Sequence, residues 1–168
     1  MHQKSTIEEI RSRFDNDVER FSNLDTGQVS TIDATVSLEL ITEAAKRIIP
    51  GATELLDIGC GAGNYTLMML QKLPGLNCTL ADLSKPMLDR AFARVSEKTD
   101  GIVKTVQGDI RKVDLPEDHF DIILAGAVLH HLRDDKDWES LFGKLYRLLK
   151  KGGCLMISDL VIQEADAV

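Results

Sequence analysis

The stretch Leu56-Asp57-Ile58-Gly59-Cys60-Gly61-Ala62-Gly63 decides how the rest of this chain is read. To its left, Glu54 to Ile58 is apolar at Leu55, Leu56 and Ile58 and reads as a buried strand. To its right, a short helix is expected from Asn64 to about Leu73, stopped by Pro74-Gly75. Glycines at alternate positions between strand and helix tolerate positive φ and let a ligand approach the backbone closely. The spacing is Gly-x-Gly-x-Gly. Dinucleotide sites use Gly-x-Gly-x-x-Gly, where a helix N-terminus faces a pyrophosphate. Here an acid, Asp57, precedes the glycines, which suits a ligand carrying an ammonium or sulfonium group better than a phosphate.

Outward from this turn, strand-like and helix-like segments alternate. Leu76 to Ala81 is a second strand closing on Asp82, and Ser84 caps a helix with Pro86 in its first turn. That helix is expected to turn Met87, Leu88, Ala91, Phe92 and Val95 inward. Ile102 to Val106 is a third strand and Phe120 to Ala125 a fourth. A helix from about Asp135 to Leu149 carries the apolar stripe Trp138, Leu141, Phe142, Leu145, Leu148 and Leu149. Lys150-Lys151 suits its C-terminal end, Gly152-Gly153 terminates it, and Cys154 to Leu160 is a fifth strand. Upstream, Ser5 and Glu8 have the form of a capping box opening a helix with Ile7, Ile10, Phe14, Val18 and Phe21 on one face. Asn23 to Ser30 is loop-like. A further helix begins near Asp33, with Ile41, Ala44, Ala45 and Ile48 as its stripe, and ends at Pro50-Gly51. The expectation is an α/β fold: a doubly wound, Rossmann-like parallel sheet in the order 3-2-1-4-5. Its ligand site lies beyond the C-terminal strand ends, at the switch point. Residues 1–30 are read as a helical lid and 31–168 as the core.

The strand ends carry the remaining candidates. Asp82, 19 residues after Gly63, is placed to accept from both hydroxyls of a ribose. Leu83 and Met87 can pack on an adenine ring. Asp109 can accept from its amino group, with the Ile110 backbone adding a contact. Taken together, Asp57 to Gly63, Leu80-Ala81-Asp82, Gln107-Gly108-Asp109-Ile110, Phe120 to Gly126 and Leu148 to Gly153 resemble, in order, the motifs of the class I S-adenosylmethionine-dependent methyltransferases. The resemblance covers residues 35 to 160. It implies that S-adenosylmethionine is the cofactor and S-adenosylhomocysteine the product. It implies that Gly59 and Gly61 line the methionine moiety, with Asp57, Cys60, Gly63 and Asn64 in the same turn. It puts Asp82 on the ribose, Asp109 and Ile110 at the adenine, and Ala125 with Gly126 near the amino-acid end. The N-terminal helices then fold over the cofactor, with Phe14 and Phe21 closing the site.

Val128-Leu129-His130-His131-Leu132 resembles a stretch of small-molecule methyltransferases, and His130 is the candidate general base. The implied activity is methyl transfer to a small-molecule acceptor. Three alternatives stand beside it. One is a cofactor-binding domain without turnover. Another is a synthase making a carboxylated form of the cofactor. The third is a nicotinamide-dependent oxidoreductase, against which the glycine spacing argues.

Composition bounds the rest. At 168 residues the chain makes one domain with a sizeable core. The formal net charge of −7 and the absence of an Asn-Pro-Pro-Tyr motif after Leu124 weigh against a nucleic-acid substrate. No apolar run approaches the ~20 residues of a membrane helix. Cys60, Cys78 and Cys154 are odd in number and far apart, which points to reduced thiols in the cytoplasm and to neither disulfides nor a metal site. The family usually adds two strands as an antiparallel hairpin beside the fifth, and this sequence does not extend to them. The fifth strand is then an open edge with Leu155, Ile157 and Val161, expected to be covered by a second copy of the chain or by a C-terminal segment of a longer protein.

Overall fold

Five strands pair in the order β3-β2-β1-β4-β5, all parallel, in a computed structural model that describes residues 5–23 and 34–160. In chain order the elements are α1 (Ile7–Asn16), α2 (Val18–Ser22), α3 (Ala34–Ile48), β1 (Glu54–Ile58), α4 (Asn64–Lys72), β2 (Asn77–Asp82), α5 (Lys85–Ser96), β3 (Val103–Gln107), β4 (Phe120–Gly126), a 3-10 turn (Leu129–His131), α6 (Asp135–Leu148) and β5 (Leu149–Ser158). This is the doubly wound arrangement expected from the alternation of periodicities.

The two faces of the sheet are covered unequally. Leu55, Cys78, Leu80, Ile122 and Leu124 pack with Ala45 of α3, Met69 and Leu70 of α4, and Leu88, Ala91 and Val95 of α5. On the opposite face Leu56, Ile58, Phe120, Ile123 and Ala125 meet Leu141, Leu145 and Leu148 of α6. Central strands buried on both sides explain why β1 and β4 read as nearly continuous apolar runs. Asp57 falls on the face shared with α3, α4 and α5, where it is fully buried.

Several local expectations need correction. The N-cap of α1 is Thr6, one residue later than expected: its hydroxyl accepts from the Glu9 N–H, and the Glu9 carboxylate accepts from the Thr6 N–H. The first helical stretch also breaks at Asp17 into α1 and α2. Gly152-Gly153 does not end α6. The helix stops at Leu148, and both glycines lie inside β5, where the β4–β5 register shifts between Phe120 and Ile122. Lys150 reaches across to Asp121 at 3.0 Å instead of capping the helix. Phe92, Trp138, Phe142 and Ile48 are substantially exposed; Leu38 and Thr42 are buried on α3 in their place. The expected start of α3 near Asp33, most of the 23–30 loop and Val161 lie outside the described residues.

Candidate functional site

The C-terminal tips of β1, β2 and β4 open into a cleft of about 500 Å³, within the range of small-molecule pockets. Its floor is the glycine-rich turn. Gly59, Gly61 and Gly63 all have positive φ, at 62°, 50° and 83°. They are not interchangeable. A Cβ on Gly59 would sit 2.4 Å from Val128 Cγ2, so that glycine is demanded by packing. Gly63 lies against Ala91 and Val95 and does not line the cleft. A Cβ on Gly61 would meet nothing within 4 Å and would enter the cleft itself. Gly61 therefore forms a cradle that stays open only without a side chain.

Asp82 stands at the tip of β2. Its carboxylate accepts from the Gly61 N–H at 2.8 Å and the Ser84 N–H at 2.9 Å. These bonds fix it over the turn. Burial pushes its pKa up, and the N–H donors only partly oppose this. No cation is paired with it among the described residues. Leu83 and Met87 line the wall beside it, and Ile110 lies across from β3.

Asp57 does not face the cleft as expected. It is buried beneath the turn, and its carboxylate accepts from the Thr66 hydroxyl at 2.7 Å. Burial, with the nearby Asp82 charge, raises its pKa to about 7. Ala125, also expected at the ligand, is closed inside the sheet, while its neighbour Gly126 lines the cleft under the Tyr65 ring. Asp109 lines the cleft, but Arg111 occupies it. The Arg111 N–H and Nε donate to one carboxylate oxygen at 3.0 and 2.9 Å; Nη2 donates to the other at 2.6 Å. Arg111 also holds Asp137 at 2.6 Å. Burial pushes the Asp109 carboxyl up, and Arg111 outweighs it, so the net pKa is lowered.

The roof comes from α1 and α2. Phe14 and Phe21 pack at 5.1 Å between ring centroids, and both line the cleft. Polar ties hold these helices down, among them Arg90 Nε donating to the Ser22 hydroxyl at 3.1 Å. Asn64 donates to the Phe21 carbonyl at 3.0 Å, Arg90 pairs with Glu19 at 2.5 Å, and Arg133 donates to the Ser5 carbonyl at 2.9 Å. The Asn64 side chain is thus engaged with the roof and with Arg94. Cys60 also lines the cleft, its thiol turned to the Gly61 carbonyl and its pKa raised by burial and by the Asp82 and Asp57 charges.

The far wall holds residues that sequence reasoning missed. Asp159, just after β5, contacts His130 Nδ1 at 2.6 Å and accepts from the Leu129 and His130 N–H groups at 2.6 and 3.1 Å. The His131 ring lies tilted against His130, with centroids 4.0 Å apart, and edge-on to Phe14. Tyr65, Ser37 and Ser158 complete this side, the two serine hydroxyls 2.6 Å apart. An acid ending an apolar strand looks like an ordinary terminator. Only the pairing of β4 with β5 gives Asp159 its meaning.

Comparison with known proteins agrees with this geometry. Residues 56–157, more than half the chain, match the family model described as a methyltransferase domain. A malonyl-[acyl-carrier protein] O-methyltransferase of Paenibacillus sp. is 32% identical over 136 residues, which cover 76% of this chain and 48% of that one. A demethylmenaquinone methyltransferase of Thermus thermophilus is 32% identical over 104 residues, 61% of this chain and 45% of its own. The chain therefore spans about half the length of these relatives. The N-methyltransferase NodS of Bradyrhizobium japonicum, solved with S-adenosylhomocysteine, shares the fold at a TM-score of 0.63 and 22% identity, over 84% of this chain and 70% of that one. The chain belongs to the methyltransferase domain family.

Proposed function

We propose that this chain binds S-adenosylmethionine in the cleft at the C-terminal strand tips and transfers its methyl group to a small-molecule acceptor. The bound cofactor supplies a methyl group already activated on a sulfonium. The chain's own residues orient it and exclude water. Asp82 holds the ribose hydroxyls with its remaining lone pairs. Gly59, Cys60 and Gly61 floor the methionine moiety, and Gly126 lies beside its amino-acid end. Leu83, Met87 and Ile110 sandwich the adenine, while Asp109 acts through the Arg111 pair that holds it. Asp57 contributes from beneath, where a cationic ligand above the turn would favour its ionised form. Residues 1–30 serve as the lid over the core formed by 31–168.

The observation that carries this reading is the pairing of Asp82 with the Gly61 cradle. A carboxylate is held by two backbone N–H groups with no cation paired to it among the described residues, beside a glycine on which a Cβ would meet no protein atom within 4 Å. Replacing Asp82→Ala is expected to weaken S-adenosylmethionine binding by about 1–3 kcal/mol, the cost of orphaned hydrogen bonds. Titration calorimetry reads this directly, and unchanged affinity would place the ribose elsewhere.

Two finer points belong to the same reading. The cytoplasm suits three free cysteines, two of them buried. Among the described residues no helix is long and apolar enough to cross a membrane. The β5 edge, with Ile157 and Leu160 exposed, supports pairing with a second copy of the chain or with further sequence. A monomer in dilute solution whose β5 amides exchange freely would remove both versions.

A further inference from the structure

We propose that Asp159 is a positioning residue that locks His130 in the Nδ1–H form, so that an unprotonated Nε2 takes the proton of the methyl acceptor. The hydrogen bonds around the carboxylate dictate the tautomer. One Asp159 oxygen accepts from two backbone N–H groups, those of Leu129 at 2.6 Å and His130 at 3.1 Å. The other accepts from the Leu160 N–H at 2.7 Å and meets His130 Nδ1 at 2.6 Å. An ionised carboxylate only accepts, so Nδ1 must carry the hydrogen. In neutral imidazole that leaves Nε2 as a bare acceptor. Burial pushes the Asp159 carboxyl up, but the His130 ring and the surrounding N–H groups outweigh it and keep it ionised.

The placement gives this lock a purpose. Both residues line the cleft, on the wall opposite Asp82. They are brought together by the parallel neighbours β4 and β5, which put position 130 beyond one strand tip and position 159 beyond the next. The imidazolium formed on proton uptake would be paired at once by Asp159, as in other acid-oriented histidine bases. Resting on the methyltransferase reading above, this specifies the acceptor class: a hydroxyl, a carboxylic acid or an amine that loses a proton. As the acceptor's lone pair bonds to the methyl carbon, the carbon–sulfur electron pair passes to sulfur. The acceptor's proton passes to Nε2 and then to solvent.

The test reads the imidazole itself. In the full chain, uniformly ¹⁵N-labelled, long-range proton–nitrogen correlations at a pH where the ring is neutral are expected to show a pyrrole-type Nδ1 and a pyridine-type Nε2 for His130. In Asp159→Asn the amide must orient. Placing its oxygen toward Leu129 and His130 satisfies two N–H groups and opposes only the Leu160 N–H; the reverse opposes two. The amide nitrogen therefore turns toward Nδ1, and the ring is expected to switch to the Nε2–H form. An Nε2–H ring in the unaltered chain, or no switch in the variant, would overturn the proposal. The first of these needs no variant to fold. Calorimetry with S-adenosylhomocysteine separates the two claims: Asp159→Asn should retain the affinity of the unaltered chain. Absence of binding to either protein would defeat the methyltransferase reading while leaving the tautomer result standing. With S-adenosylmethionine and a panel of phenols, carboxylic acids, amines and thioethers, the variant should lose about 10²–10⁴-fold in turnover. Transfer confined to thioethers, which have no proton to lose, would also overturn it.

Discussion

Two carboxylates at opposite ends of the sheet make nearly the same bonds and carry opposite consequences. At the N-terminal end, Asp121 accepts from the Thr53 and Glu54 N–H groups, each at 2.9 Å, and from the Thr53 hydroxyl at 3.1 Å. Lys150 completes it at 3.0 Å. Burial pushes the Asp121 carboxyl up, but these donors prevail and the net pKa is lowered. At the C-terminal end, Asp82 also accepts from two backbone N–H groups, yet no lysine or arginine pairs with it among the described residues, and its pKa is raised. Asp57 beneath it is also raised, to about 7. The lower end is a finished clamp that ties β1, β4 and β5 together. The upper end holds negative charge at a cost in stability, the condition expected where a cationic ligand completes the electrostatics.

The largest expected effect follows from this contrast. A carboxyl whose folded pKa is raised stabilises the fold while protonated, and that contribution is lost as pH rises from the unfolded value of about 4 to the folded value. For Asp57 the window is therefore about pH 4 to 7, and the loss across it is on the order of 4 kcal/mol. Denaturant unfolding across this range should show stability falling, and Asp57→Asn should flatten the fall. A slope unchanged by the substitution would mean that the Asp57 carboxyl titrates in the fold as it does in the unfolded chain. Asp121 has the opposite sign: its folded pKa is lowered, so its contribution is present above pH 4 or so and lost only as the solution is made more acidic.

Next come the glycines of the turn, which sharpen the comparison within the upper end. Gly59→Ala meets Val128 at 2.4 Å from a backbone of φ 62°, and should destabilise the chain by about 3 kcal/mol from strain and overpacking together. Gly61→Ala has open space and carries only the backbone penalty, about 1–2 kcal/mol. Its larger effect should fall on S-adenosylmethionine affinity, because the methyl enters the cradle. Equal losses of stability in the two variants would erase the distinction between a packing glycine and a binding one.

The smallest effect is at the lower end. Asp121→Ala should cost about 1–2 kcal/mol of stability, since the clamp is partly open to solvent. Cofactor affinity should stay within error of the unaltered chain. A matching loss of affinity would show that the two ends of the sheet are coupled, and the contrast between a structural clamp and a binding carboxylate would fail.

Much of the upper end was legible from local spacing alone. The turn from Asp57 to Gly63, the acid ending β2 and the Ser84 cap are each contained within a few consecutive residues. What escaped depends on neighbours distant in the chain. Asp159 meets His130 only because β5 lies beside β4, and Arg111 reaches Asp137 only because the first turn of α6 lies beside the β3–β4 connection. Asp57 illustrates a different failure. Its place before the glycines invited a direct role, but the alternation of β1 turns it away from the cleft, toward Thr66. The start of β5 was hidden for a related reason: Leu149 extends the apolar stripe of α6 and Gly152-Gly153 reads as a helix terminator, whereas Leu149 pairs with Phe120 and Lys150 with Asp121 in the sheet.

The most direct measurement is the response of backbone amides to S-adenosylhomocysteine, followed by heteronuclear NMR on the intact chain. Binding in the cleft predicts saturable shifts at one site per chain, confined to Gly59 to Gly61, the Asp82–Leu83 tip, Ile110 and Gly126, with the Thr53–Glu54 clamp unmoved. A well-dispersed spectrum in which none of those amides responds, even at saturating ligand, would contradict it.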